Sequence, residues 1–379
     1  MTQPDQFDVA VIGAGIAGSS LAYRLAPYRS VLLLERESQP GYHSTGRSAA
    51  MFMESYGPPA VRALTRASRA FYLQAPDGFA DQALLAPRGA MYLARPDQQY
   101  LLAQQQAELS VTCPALERLD RDQTLERVAC LRPELVHGSL LDHGAMDIDV
   151  HTLHQGFLRS MRRHGGVLRA NAEVQAARWR GPGWELTLSD GKAIRAALVV
   201  NAAGAWADQV GALFGAQTIG LVPHRRTAFT FRPPEGMPIA HWPVVSSVDE
   251  RFYFKPDAGV LLGSPANADP TVPHDVAPEE LDVATGIHHI EAATTLSIRR
   301  PLRSWAGLRS FVPDGELVIG RDARCEQFVW LAGQGGYGIQ SAPGASELAA
   351  SIVLGQPTPR ELVRHGVDAN ALSPARLPG

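Results

Sequence analysis

The feature that most constrains this chain is a glycine-rich turn between two apolar runs near its start. Residues 8–12 read DVAVI, a short β-branched run, and the turn GAGIAG follows at residues 13–18. A helical pattern, SSLAYRLAPY, comes next, and a second apolar run, SVLLLE, ends at Glu35. An acid about 20 residues beyond the glycines completes the pattern of a dinucleotide-binding unit. The sequence therefore predicts a strand, a tight turn, a helix and a second strand around a bound dinucleotide.

Each residue of this motif has its own mechanical task. Gly13 makes the tight turn, Gly15 lets the backbone approach a pyrophosphate, and Gly18 lets the helix pack closely on the strand. The free N–H groups at the start of the helix bind phosphate. Glu35 can accept hydrogen bonds from both hydroxyls of an adenosine ribose. A glycine-rich turn in some other α/β fold would leave Glu35 unexplained.

The residues after Glu35 favour FAD over NAD. An NAD enzyme would continue with alternating helices and strands, whereas this chain continues with RESQPG and then the loop YHSTGRSAAMFM. Hydroxyls and backbone N–H groups in this loop suit a second phosphate and a ring edge, although the loop alone could equally be a solvated connector. A surface connector stays polar, but this one passes into Met51, Phe52 and Met53. We therefore expect it to enter an apolar cavity.

Composition excludes several classes of protein. The length of 379 residues predicts two domains, and the net charge of −3 argues against a nucleic-acid partner. Three cysteines without metal or redox spacing predict neither a disulfide framework nor a metal site, and fit a reducing compartment. No apolar run approaches 18 residues, so no membrane span is predicted. The pattern of a signal peptide is also absent.

Longer stretches carry a more specific resemblance, and they follow one another over almost the whole chain. They are VIGAGIAGSS, LLLERE, GYHSTGRSAA, LVVNAAGAWAD, KPDAGVLLGSPANADP, WAGLRSFVPDGELVIG and GQGGYGIQ. With these stretches the chain resembles the D-amino-acid oxidase family of FAD enzymes. Within the family it is most similar to bacterial D-arginine dehydrogenase.

The resemblance implies an α/β protein with a discontinuous, Rossmann-like FAD-binding domain and a mixed-sheet α+β substrate-binding domain. The FAD-binding domain would comprise residues 1–50, 148–220 and 307–379, and the substrate-binding domain residues 51–147 and 221–306. Local patterns agree with this division. Residues 152–164 have helical periodicity, and the stretch from Ala172 to Gly204 indicates a small meander followed by a buried strand that ends at Asn201.

The resemblance further implies FAD held noncovalently, since no cysteine lies in the segments concerned. A helix that begins near Ser341 would face one edge of the flavin ring. The implied cofactor-binding residues are Gly13, Gly15, Ile16, Ala17, Gly18, Glu35, Arg36, Ser44, Thr45, Gly46, Arg47, Ser48, Ala49, Val174, Ala203, Gly204, Trp206, Gly335, Gly336, Tyr337, Gly338, Ile339 and Gln340.

Two arginines are candidates for binding a substrate carboxylate, because the planar fork of a guanidinium suits a bidentate pair. Arg226 lies in the alternating stretch HRRTAFTF, and Arg309 follows Gly307-Leu308. Most arginines in such a chain are surface residues. The resemblance implies that Arg226 and Arg309 bind the carboxylate together with Tyr253, and that Tyr56 covers the pocket. Without the family, Tyr253 could be a sheet aromatic and Tyr56 a half-buried surface aromatic.

The resemblance implies that hydride passes from the substrate Cα to flavin N5, and that water hydrolyses the imino acid to a 2-oxo acid and ammonia. In the arginine-specific relative, a histidine matches Met51, and a glutamate that pairs with the substrate guanidinium matches Ala90. This chain lacks both polar groups, and Met53 adds a further apolar one; Gly336 would also line the pocket. We therefore expect a D-amino-acid dehydrogenase for apolar or neutral D-amino acids.

Three alternatives remain open at the level of sequence. The chain could be an oxidase that reduces O₂. It could instead oxidise a secondary, cyclic or N-methylated amine or an imino acid on the same scaffold, or be a flavin-binding subunit that passes electrons within a complex. For the dehydrogenase, the resemblance implies bacterial amino-acid catabolism and a quinone or other respiratory carrier as electron acceptor. The expected location is the cytoplasm, or the periphery of the inner membrane.

Overall fold

Two large β-sheets and one small sheet form the framework of the molecule. The computed structural model describes residues 5–378. The strands in that span are β1 (Asp5–Ile12), β2 (Val31–Leu34), β3 (Met51–Phe52), β4 (Leu85–Pro87), β5 (Ala90–Ala94), β6 (Leu116–Leu119), β7 (Gly138–Asp142), β8 (Met146–Ile148), β9 (Val167–Arg169), β10 (Val174–Trp179), β11 (Trp184–Leu188), β12 (Ala193–Asn201), β13 (Val222–Phe231), β14 (Val244–Ser247), β15 (Tyr253–Asp257), β16 (Val260–Ser264), β17 (Asp269–Pro270), β18 (Arg303–Phe311), β19 (Val318–Arg321) and β20 (Phe328–Ala332).

Helices connect and cover these strands. They are α1 (Ile16–Leu25), α2 (Pro59–Leu73), α3 (Gln99–Leu109), α4 (Arg121–Arg127), α5 (Val150–Arg163), α6 (Ala207–Leu213), α7 (Glu280–Ala293), α8 (Ala342–Leu354), α9 (Arg360–Arg364) and α10 (Ala369–Leu372). Short 3₁₀ turns lie at Pro96–Gln98, Pro133–Leu135, Gly204–Trp206 and Pro374–Arg376. Within residues 5–378, no helix combines the length and the apolar character that a membrane crossing needs.

The first large sheet is built around β1. Parallel pairing runs from β9 through β2, β1 and β12 to β20, and β19 pairs antiparallel with β20. The meander of β10 and β11 continues antiparallel from the first half of β12. Alternate residues of β1 enter different cores, since Val9 and Val11 lie in one apolar cluster and Ala10 and Ile12 in another. Both faces of this sheet are therefore buried, as is typical of parallel sheets.

Local sequence explains where the last long helix, α8, begins and ends. Pro343 stands in its first turn, where the missing N–H of proline costs nothing. Gly355 ends the helix in the left-handed conformation, with φ of +68°, which glycine adopts without strain. Leu348 and Ala349 are fully buried in the cluster that α1 and β1 share. The helix thus covers one face of the first sheet.

The second large sheet is mixed, and its strand order is β17-β13-β16-β15-β14-β5-β7-β6, with β18 paired to β13. One face carries Phe229, Phe254 and Met91, which pack with Ile290 of α7 in an apolar core. The opposite face carries Ala90 and Tyr92, which belong to a separate cluster. This alternation directs every second residue of β5 away from the core around α7 and toward the opposite face of the sheet.

The small antiparallel sheet, in the order β3-β8-β4, lies where the loop after β2 ends. The structure confirms the predicted α/β architecture, with sheets of parallel and antiparallel strands. The helix predicted at residues 152–164 is α5, and the predicted meander is β10–β12. The domain limits stay a prediction, and β18 spans the limit proposed between residues 306 and 307.

Candidate active site

The glycine turn after β1 has no room for side chains. Gly13 has φ of +99°, and a Cβ added there would lie 2.5 Å from the carbonyl oxygen of Ala202. A Cβ on Gly18 would lie 1.9 Å from the carbonyl oxygen of Gly13, because α1 crosses β1 at that point. The N-cap residue of α1 is Gly15, which has no side chain, and a side chain from another segment, that of Thr45, accepts from the N–H of Ile16. The turn therefore presents backbone that a ligand can approach closely at the start of a helix, which is the arrangement that binds a pyrophosphate.

Glu35 lies at the end of β2, where it is 8% exposed. Its Oε2 accepts a hydrogen bond from the backbone N–H of Ala14 (2.9 Å), and its Oε1 accepts one from the N–H of Glu37 (3.0 Å). A carboxylate has about four acceptor positions. Each oxygen therefore keeps capacity for a ribose hydroxyl while the carboxylate also fixes the glycine turn.

The glycine turn and Glu35 border a cavity of about 460 Å³. Val174 lies on its opposite wall, and Trp206 stands at one side. The guanidinium carbon of Arg36 lies 4.8 Å from the ring centroid of Trp206. The ring centroids of His43 and Trp206 are 4.7 Å apart. A π-face and a cation thus flank the nucleotide end of the cavity.

Two smaller cavities continue from the first. The second, of about 120 Å³, shares Ile16 and Gly335 with the first. The third, of about 110 Å³, shares Arg226, Arg309 and Gly336 with the second. The three form a series from the glycine turn to the second large sheet. A long cofactor with a nucleotide at one end and a ring at the other fits this series.

Most of the predicted cofactor residues line these cavities. They are Gly13, Gly15, Ile16, Ala17, Glu35, Arg36, Ser44, Thr45, Arg47, Ser48, Ala49, Val174, Ala203, Gly204, Trp206, Gly335, Gly336, Gly338, Ile339 and Gln340. Three others lie behind the cavity walls. Gly18 packs against Gly13, Gly46 donates to the carbonyl oxygen of Gly41, and the ring of Tyr337 contacts that of Tyr56 at 5.0 Å.

The loop from Ser44 to Ser48 is tied to helix α1 and to strand β18 of the second large sheet. Thr45 Oγ1 accepts from the N–H of Ile16 (3.0 Å), and Ser44 Oγ donates to the carbonyl oxygen of Leu308 (2.7 Å). Arg47 donates to the carbonyl oxygen of Ala306 (3.2 Å) and pairs with the carboxylate of Asp275. A solvated connector would not make these bonds. The loop is therefore a built wall of the cavity series.

Arg226 and Arg309 lie together at the junction of the second and third cavities. Strands β13 and β18 pair antiparallel, with Arg226 opposite Gly307 and His224 opposite Arg309, so both arginines are on one face of the sheet. Arg309 Nη1 donates to the phenol oxygen of Tyr56 (3.0 Å). Among residues 5–378, neither arginine forms a salt bridge, although the exposed carboxylate of Glu250 acts on Arg226 at longer range, and the buried Nε of Arg226 has no hydrogen-bond partner.

The electrostatics of this pair are those of two cations in a buried site. Burial, and then the charge of Arg309, lowers the pKa of Arg226. Burial also acts to lower the pKa of Arg309, but the phenol groups of Tyr56 and Tyr253 raise it by more. Both guanidiniums remain protonated at neutral pH, because an arginine side chain in a protein keeps its proton. The pair therefore offers two positive charges to an anionic ligand.

Tyr56 is held in place by its neighbours. Ser55 Oγ donates to the carboxylate of Asp142 (2.6 Å) and bonds the hydroxyl of Tyr92 (2.9 Å). Gln340 Nε2 donates to the backbone carbonyl of Tyr56 (3.2 Å). Burial raises the pKa of Asp142, although the Ser55 hydroxyl opposes the rise. These bonds fix the backbone that places the Tyr56 ring over Arg309.

The third cavity extends to the wall that the sequence predicted from Met51, Met53 and Ala90, and all three line it. Ala90 is 1% exposed, so only a small part of its methyl group is open to the cavity. Phe52 points away from the cavity, into the core that contains Phe157. The apolar loop thus contributes alternate residues to the cavity and to a core.

Sequence reasoning missed four polar residues of this cavity: Tyr92, Ser246, Glu250 and Lys255. A signal for Lys255 was available, because Tyr253 and Lys255 are two residues apart in one strand and must share a face. Glu250 gave no such signal, since it is an exposed residue in the turn between β14 and β15. In the part of the chain that the structure describes, no group of histidine, cysteine and acidic side chains could hold a metal.

Comparisons with known proteins agree with this geometry. The family model described as DAO, FAD dependent oxidoreductase, matches residues 8–352, and the chain therefore belongs to the DAO family and is an FAD-dependent oxidoreductase. The chain is 24% identical to rat mitochondrial dimethylglycine dehydrogenase over 95% of its own length but only 44% of that protein. It is 26% identical to glycine oxidase of Bacillus licheniformis, over 94% of this chain and 96% of the relative.

Solved structures show the same fold. The crystal structure of glycine oxidase from Geobacillus kaustophilus superposes with a TM-score of 0.84, at 23% identity, over 99% of this chain and 100% of that chain. The predicted fold is thereby confirmed, and the family match over residues 8–352 confirms the predicted family and the FAD cofactor. The family's members act on amines and amino acids of several kinds, so the substrate is a separate question.

Proposed function

We propose that this protein is an FAD-dependent dehydrogenase that converts D-amino acids with neutral side chains to 2-oxo acids and ammonia. The observation that carries the proposal is the buried pair of Arg226 and Arg309, which has no acidic partner in residues 5–378. Two desolvated cations need an anion. An α-carboxylate is planar and can accept from both guanidiniums, which a chloride ion or a hydroxyl group cannot do as well.

The arginine pair would orient the substrate as well as bind it. A carboxylate held by Arg226 and Arg309, beside the hydroxyls of Tyr56 and Tyr253, would fix the adjoining Cα at the junction of the second and third cavities. When bound, FAD supplies the acceptor for the hydride that leaves Cα. Fixing a reacting atom in this way can account for several kcal/mol of a reaction barrier, about 7–11 kcal/mol in the best model systems.

The chain offers no obvious general base, and the charges of the site make one unnecessary. A substrate ammonium group near two guanidiniums is repelled by them and loses hydration, and both effects lower its pKa. The amine would therefore reach the neutral form needed for oxidation without a dedicated acceptor. Water would then hydrolyse the imino acid product.

The side-chain preference is supported by the wall of Met51, Met53 and Ala90. The guanidinium of D-arginine would lose its hydration against these three apolar side chains. The acid that lines the third cavity, Glu250, is instead exposed in the turn between β14 and β15. A neutral side chain would instead gain about 0.8 kcal/mol for each methylene group buried. D-configuration and a quinone or other respiratory acceptor are supported by the resemblance to D-arginine dehydrogenase.

A second candidate function is oxidation of an N-methylated, secondary or cyclic amine. It is favoured by the similarity to dimethylglycine dehydrogenase, because dimethylglycine also carries a carboxylate. The arginine pair would bind that carboxylate equally well. The two candidates therefore differ in the amine end of the substrate, and experiment can separate them.

Anaerobic bleaching of the bound flavin tests the proposal. D-Leucine, D-methionine and D-phenylalanine should each reduce the yellow holoenzyme, whereas their L-enantiomers serve as matched controls and should not. Bleaching by sarcosine or dimethylglycine, without bleaching by any D-amino acid, would select the second candidate. In air, the dehydrogenase should pass electrons to a quinone or dye, and stoichiometric hydrogen peroxide would identify an oxidase instead.

A further inference from the structure

The wall at the side-chain end of the third cavity contains a charged group as well as apolar ones. Lys255 follows Tyr253 by two residues on β15, lines the cavity and is 6% exposed. Its Nζ lies 2.5 Å from Oδ1 of Asp147 and 3.9 Å from the sulfur of Met51. Met51 and Asp147 are paired residues of β3 and β8, so both project from the same face of the small sheet. The ammonium group therefore sits at the methionine wall.

Asp147 is shared between two cations. Its Oδ2 accepts from Nε of Arg88 (2.7 Å), while Oδ1 accepts from Lys255. Arg88 also donates to the carbonyl oxygens of Ala240 (2.9 Å) and Trp242 (3.1 Å), so it is fixed in place. Both oxygens of Asp147 are engaged, and the three side chains together carry one net positive charge. A cationic substrate side chain would meet that charge rather than a free carboxylate.

Lys255 has donor capacity that the protein does not use. An ammonium group has three N–H donors, and within residues 5–378 the hydrogen-bond partners of Nζ are Asp147 and the weak acceptor Met51. The side chain lines the third cavity and is otherwise buried, so a ligand in the cavity, rather than bulk solvent, can satisfy this capacity. Glu250 is the one acid among the described residues that line the cavity, and it is exposed. A ligand acceptor is thus the missing partner.

The distance between the two ends of the cavity suits a short substrate. Tyr253 stands beside the arginine pair, whereas Lys255 stands at the methionine wall, and the Cα atoms of residues two apart in a strand are about 7 Å apart. A carbon skeleton with a carboxylate at one end and an oxygen acceptor three or four carbons away has a length of this order.

We propose that Lys255 is a specificity-determining residue that donates a hydrogen bond to an oxygen at the end of the substrate side chain. Among the neutral D-amino acids of the proposed function, those whose side chains end in an amide are then preferred over purely apolar ones, and the same donor would also bind a side-chain carboxylate. This inference rests on the carboxylate-binding role of Arg226 and Arg309 in the proposed function. If Lys255 only joins the second large sheet to the small sheet through Asp147, no preference for an oxygen acceptor follows.

Three unreactive ligands isolate the contribution of the end group. Glutarate, glutaramate and 5-methylhexanoate share one heavy-atom skeleton and differ only in the end group, which is a carboxylate, an amide or two methyl groups. They lack an amine, so they cannot be oxidised, and their dissociation constants are measured from the flavin absorbance of the holoenzyme. The parent should bind glutarate and glutaramate about tenfold or more tightly than 5-methylhexanoate, as a hydrogen bond from a charged donor requires.

The variant Lys255→Met should lose this preference, because it removes the donor and keeps the apolar stem. Lys192→Met is the matched control: Lys192 is the other lysine of the chain, is exposed, and pairs with Asp190 in the turn between β11 and β12. It should bind all three ligands as the parent does. Lys255→Arg, which keeps a charged donor, should retain most of the preference.

The outcomes distinguish a failure of the role proposed for Lys255 from a failure of the role proposed for the arginine pair. Equal affinities of the parent for the three ligands, or an unchanged preference in Lys255→Met, would overturn the role of Lys255. Neither result would contradict the carboxylate-binding role of the arginine pair. If none of the ligands perturbs the flavin spectrum of the parent, the carboxylate-binding role of the arginines fails, and the inference fails with it. If Lys255→Met does not retain FAD, the affinities of the parent and of Lys255→Arg decide the question.

Discussion

The cofactor region and the substrate region are built in different ways. Around the glycine turn, residues close together in sequence present backbone to the ligand, and the critical property is the absence of a Cβ. Around the arginine pair, side chains from β5, β13, β15 and β18 meet from distant parts of the chain. The first region is recognisable from a short motif because its chemistry is local. The second becomes visible only when the strands are assembled.

The two regions should also respond differently to mutation. In the cofactor region a single added methyl group collides with backbone that cannot move independently. In the substrate region a side chain can be exchanged for another of similar volume without disturbing the fold, so the effect falls on binding and specificity. Three substitutions test this contrast.

The largest effect should come from Gly18→Ala. The added Cβ would lie 1.9 Å from the carbonyl oxygen of Gly13 and 3.2 Å from Val11, so α1 must move away from β1. Overpacking of this kind typically costs about 1–3 kcal/mol or more, and the displaced turn can no longer hold a pyrophosphate. We expect a protein purified without yellow colour, measured as the ratio of flavin to protein absorbance.

A matched control for this substitution is Gly181→Ala. A Cβ there would have Trp179 as its nearest neighbour, at an ordinary contact distance of 3.7 Å. This variant should keep its FAD. A Gly18→Ala protein with the full flavin content of the parent would show that the cofactor region is not controlled by backbone packing, and the contrast between the two regions would disappear.

A smaller effect, on catalysis but not on the stability of the fold, is expected from Arg309→Met. Removing one partner of a buried charge pair costs about 2–5 kcal/mol, so kcat/KM should fall by about thirtyfold to several thousandfold with every substrate. The fold should not suffer, because replacing an unpaired buried cation with an apolar side chain is often neutral or stabilising. Flavin reduction at limiting substrate and the thermal midpoint without substrate measure the two effects.

Arg303→Met provides the control on the same strand, since Arg303 is exposed at the start of β18. It should leave flavin reduction unchanged. Equal reduction rates in Arg309→Met and the parent would remove Arg309 from the substrate site. A large loss of thermal stability would show instead that the side chain has mainly a structural role.

The double substitution Ala90→Glu with Met51→His should have the smallest effect on overall rate and should instead change the choice of substrate. It places a carboxylate at the apolar wall, where the parent offers no partner for the guanidinium of D-arginine. We expect the ratio of kcat/KM for D-arginine to that for D-leucine to rise about tenfold, which corresponds to about 1.4 kcal/mol. A steady-state panel of D-amino acids on both proteins measures the ratio.

Ala103→Glu is the charge-matched control, because Ala103 is exposed on α3 and outside the cavity lining. It should not alter the ratio. A parent that already prefers D-arginine would show that a carboxylate elsewhere in the site pairs with the substrate cation, and that the methionine wall does not control specificity.

The contrast also explains how far the sequence could be interpreted. Strand β1, the glycine turn, α1 and Glu35 are consecutive, so local periodicity and one acid were enough to predict their arrangement. The loop from Ser44 to Ser48 was ambiguous from sequence. Only the bonds of Ser44 and Thr45 to β18 and α1 distinguish a cavity wall from a connector.

The substrate region could be predicted from sequence only through the resemblance to the family. Arg226 and Arg309 are two of many arginines, and their shared face depends on the antiparallel register of β13 and β18. Lys255 was missed because a lysine in a strand is normally taken as solvent-exposed. Its burial depends on Asp147 and Arg88, which come from other elements. The roles of these residues remain predictions, whereas their proximity is a property of the fold.

The pairing of β1 with β12 has a consequence for how the protein is made. Ile12 pairs with Asn201, about 190 residues later in the chain, and Asn201 in turn pairs with Trp330 of β20. At typical rates of translation, about 5–20 residues per second, β1 waits roughly ten to forty seconds for its central partner. During that interval an apolar strand edge is open to other nascent chains. The yield of active protein in a cell should therefore depend on chaperones and on the speed of the ribosome.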